Sequence, residues 1–477
     1  MKRLNGALPI LLLAGFVGAW LFLARAAEDT GQVIGWKAGA ATTTITPTEP
    51  LWMAGYGGRK APAEGKLTDL HAKALALEDA TGNRGLIITL DLVGIDRGLA
   101  GRICQRLAES HGLKREQIAI ATSHTHSGPA VGRRNLGPLH WWHLDPDQQA
   151  RIDAYAETLV EKVVAVAGEA IEKLAPARVQ QGSGRATFAV NRRENKPYDQ
   201  VPEWRARGEL KGPVDHDVPV LSVRDPESGA LRAVLFGYAC HATVLGGQEW
   251  CGDYPGYAQA AVEAANPGCV ALFWAGCGGD QNPLPRKTVE LAQSYGDRLA
   301  LAVQRELESP MAMLSPQLVT RYREIEAPLA ETPGVEALQK TAAEDVEGYE
   351  GARARYLLSE REKNGGADVG LDDGGYPYPV AVWTLGEEKT DGVDFVWLGG
   401  EVVVDYALRL KRERFGSRTW VAGYSNDVMA YIPSFRVLKE GGYEGGGSNV
   451  YYGLPALWDE AIEETIVGAV HQLDPLR

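Results

Sequence analysis

Strongly apolar segments of β-strand character alternate with amphipathic helical segments along this chain, and that alternation limits the folds open to it. The clearest β-type segments are 84–94, 117–122, 233–239 and 270–275, and the strongest helical pattern is 147–174. Buried strands mixed with one-faced helices predict a layered α/β or mixed α+β domain, with a central mixed sheet flanked by helices. Site residues are then expected in the loops just after strand ends.

The size and composition are those of an ordinary globular chain. It has 477 residues, 45% of them apolar and 23% charged, which suits one large or two to three smaller domains. Residues 324–364 are polar, rich in Glu, Ala and Arg, and helical in period, and they lead into a Gly/Asp-rich loop at 365–375. We therefore predict one domain at 27–477 with a helical insertion at about 324–375.

The N-terminus has the pattern of an export signal. Lys2 and Arg3 precede an apolar stretch at 8–23, and Ala24-Arg25-Ala26 has the small-x-small form of a cleavage site. We expect a signal peptide at 1–26 and a periplasmic or secreted mature chain. The stretch is slightly short for a membrane span of roughly 20 residues, and an uncleaved membrane anchor is the alternative.

Charge and cysteine usage exclude several classes of protein. The formal net charge of −13 disfavours nucleic acid as a partner. The five cysteines are unevenly placed, so at most one or two disulfides are expected, and at least one thiol is left over. None forms Cys-x-x-Cys, which excludes a zinc ribbon or a thioredoxin-like centre. The cysteines are Cys104, Cys240, Cys251, Cys269 and Cys277.

A His-x-His pair follows the β-type segment at 117–122. The sequence there is Ser-His-Thr-His-Ser-Gly-Pro, with histidines at 124 and 126. Strand alternation would point His124 and His126 the same way and Thr125 the opposite way. Imidazole is the commonest protein ligand for zinc, so the pair is a candidate part of a metal site that needs further ligands from elsewhere.

Further candidates lie after other β-type segments. His241 ends the run Leu-Phe-Gly-Tyr-Ala-Cys-His, and Glu401 follows a Gly-Gly turn, where it could be a ligand, a base or a helix N-terminal acid. Glycine-rich turns at 252–256, 275–283 and 423–431 permit close approach of the backbone to a ligand. None matches a dinucleotide or phosphate-loop fingerprint, and no Gly-x-Ser-x-Gly elbow is present.

Taken in order, these motifs resemble the catalytic domain of the neutral, non-lysosomal ceramidase family, zinc-dependent amidases of N-acyl sphingoid lipids. The resemblance spans most of the chain. The segments that carry it are His124 to Pro129, Asn191-Arg192, Cys240-His241-Ala-Thr, Gly252-Asp253 with Gly256-Tyr257-Ala258, Gly400-Glu401, Ser425-Asn426 to Tyr431, and Tyr443-Glu444-Gly445.

The resemblance implies one Zn²⁺ per chain and hydrolysis of an N-acyl amide bond by metal-activated water. It implies an N-acyl lipid or another amide as substrate, and contact with a membrane surface. The implied residues are His124, His241, Glu401 and Tyr431 as zinc ligands, His126 as acid and base, Arg192 close to the substrate carbonyl, and Asp253, Asp280 and Gln281 in substrate binding.

Two departures from the family pattern bear on the substrate. The family's Gly-Asp-Val-Ser-Pro-Asn loop is here 279–283, and Asn282 takes the place of the serine. An amide can donate a hydrogen bond to a carbonyl or oxyanion but cannot act as a hydroxyl nucleophile, so Asn282 is a predicted catalytic residue in a water mechanism. We also expect the family's C-terminal immunoglobulin-like domain to be missing.

Several alternatives stay open at this point. The chain could hydrolyse another amide or a lactone without acting on ceramide, or be a cysteine hydrolase that uses Cys240 or Cys277 near His241. It could also be a non-catalytic carbohydrate- or lipid-binding protein with a structural metal. A His, carboxylate and phenol set also accepts iron, cobalt or manganese. Trp141, Trp142 and His143 could line a pocket, although such a pair of tryptophans is more often core.

Overall fold

Two β-sheets organise the part of the chain that the structure describes. The structure is a computed structural model and describes residues 35–363, 375–387 and 389–473. In chain order the strands of the two sheets are β1 (Trp36–Thr44), β2 (His71–Glu78), β3 (Arg84–Leu90), β4 (Ile118–Thr122), β5 (Ala175–Arg185), β6 (Asp217–Arg224), β7 (Leu231–Tyr238), β8 (Val270–Ala275), β9 (Ala312–Met313), β10 (Leu318–Pro328), β11 (Gly375–Leu385), β12 (Val393–Leu398) and β13 (Thr419–Ala422).

The larger sheet is mixed and has the order β8-β7-β6-β5-β1-β2-β3-β4, with β9 also paired to β5. Its two edge pairs, β7 with β8 and β3 with β4, are parallel, and the pairs between them are antiparallel. The second sheet has the order β10-β11-β12-β13, and only β12 and β13 are parallel in it. The predicted mixed α/β class is confirmed.

The two sheets share an apolar core. Inward-facing residues of both sheets contribute to one cluster, which includes Trp36, Trp274, Trp383, Trp397 and Trp420. The larger sheet curves so that its edge strands β8 and β4 approach each other. Helices pack on the outer faces of the sheets, and this arrangement buries the most apolar strands, such as β3, β4 and β12, on both sides.

Eight longer helices are described; most pack apolar stripes toward the sheets, and the two helices of the insertion pack on each other instead. The eight are α1 (Arg97–His111), α2 (Pro146–Glu172), α3 (Asp253–Ala265), α4 (Val289–Leu307), α5 (Val335–Glu344), α6 (Tyr349–Lys363), α7 (Val404–Glu413) and α8 (Ile462–Gln472). Shorter helices are Arg133–Leu136, Pro138–Trp141, Val201–Arg207, Phe435–Glu440 and Asn449–Tyr452. No helix among the described residues is long and apolar enough to cross a membrane.

Helix α2 is the predicted helical pattern at 147–174, with slightly different bounds. Asp145 is its N-cap and accepts a hydrogen bond from the Gln148 backbone N–H, and Pro146 occupies the first turn, where its missing N–H costs nothing. The buried stripe, which includes Ile152 and Leu159, packs against β1 and β2.

The predicted helical insertion begins later than expected. Residues 324–328 belong to strand β10, which pairs with β11 along its whole length, and the helices of the insertion are α5 and α6. Residues 321–326 of β10 carry charges on both faces of the strand, so this strand lacks the apolar run that marks a strand in sequence. The predicted loop at 365–375 falls outside the described residues except for Gly375, and the predicted signal peptide at 1–26 lies wholly outside them.

Candidate active site

Four segments from the ends of strands meet at one point. His124 lies just beyond β4, His241 just beyond β7, and Glu401 beyond β12, where it pairs with Tyr431 in a short parallel ribbon, Glu401–Val402 with Tyr431–Ile432. The segment after β13 joins these ends through backbone hydrogen bonds. Its amides donate to carbonyls of β4, β8 and the Gly-Gly turn, namely Asn426 to Ile120, Gly423 to Ala275 and Tyr424 to Gly400. The four predicted zinc ligands are therefore brought together.

Glycine is required at the turn that delivers Glu401. Gly400 has φ +73°, and a Cβ there would lie 2.8 Å from the Ala430 carbonyl oxygen and 2.5 Å from the Ile432 side chain. A side chain would therefore be strained and would also push the two strands of the ribbon apart.

The backbone fixes the tautomer of both predicted histidine ligands. Nδ1 of His124 lies 2.6 Å from the Val93 carbonyl oxygen, and Nδ1 of His241 lies 2.6 Å from the Gly278 carbonyl oxygen. A carbonyl oxygen only accepts, so each Nδ1 carries a proton, and Nε2 is the nitrogen that a neutral imidazole would offer to a metal. This backbone contact is the usual way in which a metal-ligating imidazole is oriented.

The inward-facing atoms form a cluster of hydrogen-bond acceptors. Oε2 of Glu401 lies 3.1 Å from His124 Nε2 and 3.0 Å from His241 Nε2, and Tyr431 Oη lies 3.0 Å from His241 Nε2. When both imidazoles are neutral, their lone pairs face the carboxylate oxygen and repel it. A cation at their centre removes the repulsion, and ligands of a tetrahedral zinc ion with bonds near 2.0–2.1 Å are separated by about 3.3 Å. The donor set therefore fits a divalent cation.

His126 completes a candidate metal-binding group of three imidazoles with His124 and His241, whose nitrogens lie within 4.8 Å of one another. Its Nε2 lies 3.1 Å from His124 Nε2, and its ring packs against Tyr56 with centroids 4.7 Å apart. Nδ1 is buried without a hydrogen-bond partner among the described residues. His126 therefore has a ring nitrogen free to take or give a proton.

The two histidines reach the site by a different route from strand alternation. Strand β4 ends at Thr122, and His124 has the left-handed value φ +58°. A non-glycine residue held there is strained, and such strain is maintained where the surroundings over-determine the conformation. The prediction that both rings share one pocket agrees with the geometry, but the turn at His124, not the pleat of a strand, produces it.

Burial and mutual contact control ionisation in the cluster. Burial opposes the charge on Glu401, but the His124 and His241 imidazoles outweigh it and hold the Glu401 pKa well below its usual range. Burial, with Arg192 nearby, lowers the pKa of His241 to about 4, and burial next to His124 and His241 holds the pKa of His126 well below its usual value. At neutral pH the carboxyl is therefore charged and these two imidazoles are neutral, the forms that bind a metal.

Arg192 lies against the predicted ligand Tyr431. Its Nη2 donates to Tyr431 Oη at 3.0 Å, its Nε to Glu444 Oε1 at 2.7 Å, and its Nη1 to Asn282 Oδ1 at 3.3 Å. Burial works against the charge, but Tyr431 and Glu444 raise the Arg192 pKa well above its usual value. Asn282 accepts from Arg192 and so helps to hold the guanidinium, a contact that the sequence analysis did not predict.

Asp253, Asp280 and Gln281 lie beside the loops that carry the ligands instead of in the wall of the cavity. Asp253 accepts the backbone N–H groups of the 244–245 loop after His241. Asp280 accepts from Asn191 Nδ2 and from the Val404 N–H after Glu401, and the Gln281 carbonyl accepts the His241 N–H. Their contacts are those of residues that position the site, and the predicted contact with substrate stays a prediction.

The burial of Asp253 makes the free energy of unfolding depend on pH. Burial raises its pKa from 3.8 to about 6 in the folded chain, so between these values the unfolded state binds fewer protons and stability falls as pH rises. A pKa shift of about two units corresponds to about 3 kcal/mol in the free energy of unfolding. We expect the free energy of unfolding of the wild type to fall by up to that amount relative to Asp253→Asn between pH 4 and 7. Urea unfolding at several pH values measures it, and a pH-independent difference would contradict it.

A cavity of about 620 Å³ opens onto the cluster. His124, His126, Glu401 and Tyr431 lie in its wall. Sequence reasoning missed several aromatic neighbours: Tyr452 Oη donates to Glu401 Oε1, Tyr424 lies against the His124 ring, and Tyr56 packs on His126. Single tyrosines in loops carry no local signal of such a role. Other wall residues include Trp52, Arg59, His140, His143, Tyr349, Tyr443 and Tyr451.

Residues 141–143 divide between the core and the cavity. His143 lines the cavity, Trp141 packs against the core under the first half of the larger sheet, and Trp142 is partly exposed against Tyr356. The pair of tryptophans is thus packing, and only the histidine next to it reaches the cavity.

The surroundings of the cysteines are unfavourable to catalysis by a thiol. All five are free and buried, so the one or two disulfides allowed by the sequence are not formed. Burial raises the pKa of the Cys240 and Cys277 thiols well above the usual value, which keeps both protonated. A protonated thiol is a poor nucleophile, and the geometry therefore speaks against the cysteine-hydrolase alternative.

Comparisons with known proteins agree with this geometry. A family model described as neutral/alkaline non-lysosomal ceramidase, N-terminal, matches residues 36–281, about half of the chain. A neutral ceramidase of Drosophila pseudoobscura pseudoobscura is 25% identical over 260 residues, which cover 54% of this chain and 34% of that protein. The match therefore spans about a third of the length of that relative.

Solved structures show the same fold. The crystal structure of neutral ceramidase from Pseudomonas aeruginosa superposes with a TM-score of 0.68 at 20% identity, covering 93% of this chain and 75% of the other. A ceramidase complexed with C2 gives a TM-score of 0.66 at 19% identity, covering 92% and 76%. Together with the family match over residues 36–281, this establishes that the chain belongs to the neutral/alkaline non-lysosomal ceramidase family.

Proposed function

We propose that this protein is a zinc-dependent amidohydrolase that cleaves an N-acyl bond, as a ceramidase does. The observation that carries the proposal is that Glu401 Oε2 lies about 3 Å from both His124 Nε2 and His241 Nε2, with Nδ1 of each imidazole held by a backbone carbonyl. Family membership supports the reaction class, and the names of the related proteins support an N-acyl lipid as substrate.

In this proposal, His124, His241, Glu401 and Tyr431 hold the zinc ion. When bound, zinc supplies a Lewis acid for the carbonyl and lowers the pKa of water to about 7, which yields a nucleophile at neutral pH. Tyr452 donates to Glu401 and leaves its other carboxylate oxygen, Oε2, facing the two histidines. Arg192 donates to Tyr431 and so places a fixed positive charge next to the ligands.

His126 is the proposed general acid and base. It is neutral at pH 7 because burial depresses its pKa, and its Nε2 faces the ligand cluster. Neutral imidazole takes the proton released when water attacks the acyl carbon, and the imidazolium returns it to the leaving nitrogen. A positioned group of this kind contributes roughly 10²- to 10⁴-fold to the rate. Arg192 stabilises the negative charge that develops on the carbonyl oxygen.

Cleavage of an N-acyl amide is expected to depend on metal. Purified mature chain is incubated with a fluorescent N-acylsphingosine and with a short N-acyl amide, before and after chelation, and fatty acid release is measured. Chelation is expected to abolish release and stoichiometric zinc to restore it. Release that persists in metal-free protein would contradict the proposal.

Other outcomes of this assay select among the remaining alternatives. Zinc-dependent cleavage of short amides or lactones without cleavage of ceramide identifies a hydrolase of another substrate class. Asn282, which stands where the family has a serine, favours this outcome. Stoichiometric zinc without any turnover identifies a binding protein with a structural metal. Add-back of cobalt, manganese and iron tests whether zinc is the metal that supports the activity.

We also propose that the protein acts outside the cytoplasm, because of the basic, apolar and small-x-small pattern at its N-terminus. Contact with a membrane surface is proposed only for the case in which the substrate is a lipid.

A further inference from the structure

One wall of the cavity is a continuous row of aromatic rings that leads away from the candidate zinc ligands. Tyr443 lies 5.3 Å from Tyr431, Tyr451 lies 6.3 Å from Tyr443, and Tyr349 lies 4.8 Å from Tyr451, all between ring centroids. The His140 ring is nearly parallel to Tyr451. We call Tyr443, Tyr451, Tyr349 and His140 the tyrosine wall.

The tyrosine wall is held by a small core of its own. Tyr349 starts helix α6 of the insertion, Tyr451 lies in the helix Asn449–Tyr452, and His140 lies in the helix Pro138–Trp141. Side chains of the same three helices pack together beneath the rings, among them Leu357, Val450 and Leu139. The rings of Tyr349, Tyr451 and His140 are therefore presented by helices that pack on one another.

The rest of the cavity wall carries few charges. It includes glycine-rich chain around Tyr56, and this chain packs closely on the His140 ring, since a Cβ at Gly57 would lie only 2.6 Å from it. The charged side chains in the wall of the cavity are Arg59 and Glu401. Arg59 donates to carbonyls of its own surroundings, and Glu401 is held by the histidines. A neutral ligand therefore suits this cavity better than a charged one.

The hydroxyls of the tyrosine wall favour a polar ring over an alkyl chain as the ligand of this part of the cavity. No hydrogen bond from a described residue reaches the hydroxyls of Tyr349, Tyr443 or Tyr451. A long alkyl chain laid along the wall would cover these hydroxyls and remove them from water without giving them a partner. A hydroxylated ring can stack its C–H face on a phenol ring and exchange hydrogen bonds with the hydroxyls.

We infer that the group held along the tyrosine wall is a neutral, hydroxylated ring, so that the substrate is an N-acylated amino sugar in preference to a long-chain ceramide. The inference rests on the proposed function, since it names the amine that this site would release. The acyl carbon would lie at the candidate ligands and the sugar ring on Tyr443, Tyr451 and Tyr349.

The test compares two amides with the same acyl group, N-hexanoylglucosamine and N-hexanoylsphingosine. Zinc-loaded mature chain is used as wild type, as Tyr349→Ala and as Val346→Ala, a matched control because Val346 is exposed in the same insertion and lies outside the cavity wall. Binding is measured by calorimetry and turnover by acid release. We expect the sugar amide to bind, Tyr349→Ala to weaken that binding roughly three- to tenfold, and Val346→Ala to leave it unchanged.

The two readouts separate this inference from the proposed function. The inference is overturned if the sphingosine amide is cut with an equal or higher kcat/KM, or if Tyr349→Ala binds the sugar amide as the wild type does. If neither amide is cut, the proposed function fails, while sugar binding that depends on Tyr349 still supports the assignment of the wall.

Discussion

Replacing either His124 or His241 by alanine is expected to remove the bound metal and amide cleavage together. Each imidazole is oriented by a backbone carbonyl and presents Nε2 to Glu401 at about 3 Å, so its removal takes one oriented nitrogen out of the proposed ligand set. Loss of an outer-shell partner of a metal ligand already costs roughly 10- to 100-fold in affinity or activity. Loss of a ligand itself should lower the affinity or activity by more than this factor. Zinc content by mass spectrometry and initial rates of acid release are the measurements.

His471→Ala is the matched control for these variants. His471 lies on α8, where its Nε2 is 2.7 Å from Glu413 Oε2, and it has no contact with the cavity wall. We expect unchanged zinc content and unchanged rates. A His124→Ala protein that folds, holds one zinc per chain and retains its activity would refute the ligand assignment.

Three of the four predicted ligands could be found from sequence as candidates because each follows a recognisable strand end, whereas Tyr431 came only from the family resemblance. His124, His241 and Glu401 all stand just after apolar runs that the structure forms as strands β4, β7 and β12. Strand ends are short-range features of a sequence, so the pattern is visible without knowledge of the fold. That these ends meet depends on the curvature of the larger sheet and on the cross-connection at 423–426, which no local pattern encodes.

What escaped prediction depends on contacts between residues far apart in the chain. Tyr452 reaches Glu401 across 51 positions, and Arg192 reaches Asn282 across 90. Strands β1 and β5 were also missed, since alanine, glycine and glutamine give them little β signal of their own and pairing with neighbours decides their conformation. The second sheet was not separated from the first because β10 carries charged residues on both faces and so gives no strand signal in sequence.

The sequence analysis expected Asn282 to donate to a reacting carbonyl. In the structure its Oδ1 accepts from Arg192, so the residue bears on catalysis through the position of the guanidinium. In the proposed mechanism, oxyanion stabilisation then rests on Arg192, which also contacts Tyr431 and Glu444.

Arg192→Lys is therefore expected to lower kcat for amide cleavage by roughly 10²- to 10³-fold, the usual loss when one donor to a developing oxyanion is removed. A lysine keeps the charge but loses the planar fork that reaches Tyr431, Glu444 and Asn282 together. Zinc content should stay at one per chain, because none of the four proposed ligands is changed. Steady-state kcat and KM, with zinc content, are the measurements.

Arg193→Lys separates the role of Arg192 from the stability of the network. Arg193 shares Glu444 with its neighbour, at 2.8 Å from Oε2, but its remaining contacts are with Glu440 and the Gly441 carbonyl, away from Tyr431. We expect its kcat to stay close to that of the wild type. Equal losses in the two variants would mean that Arg192 acts only by holding Glu444 in place, and an unchanged kcat in Arg192→Lys would remove it from the reaction altogether.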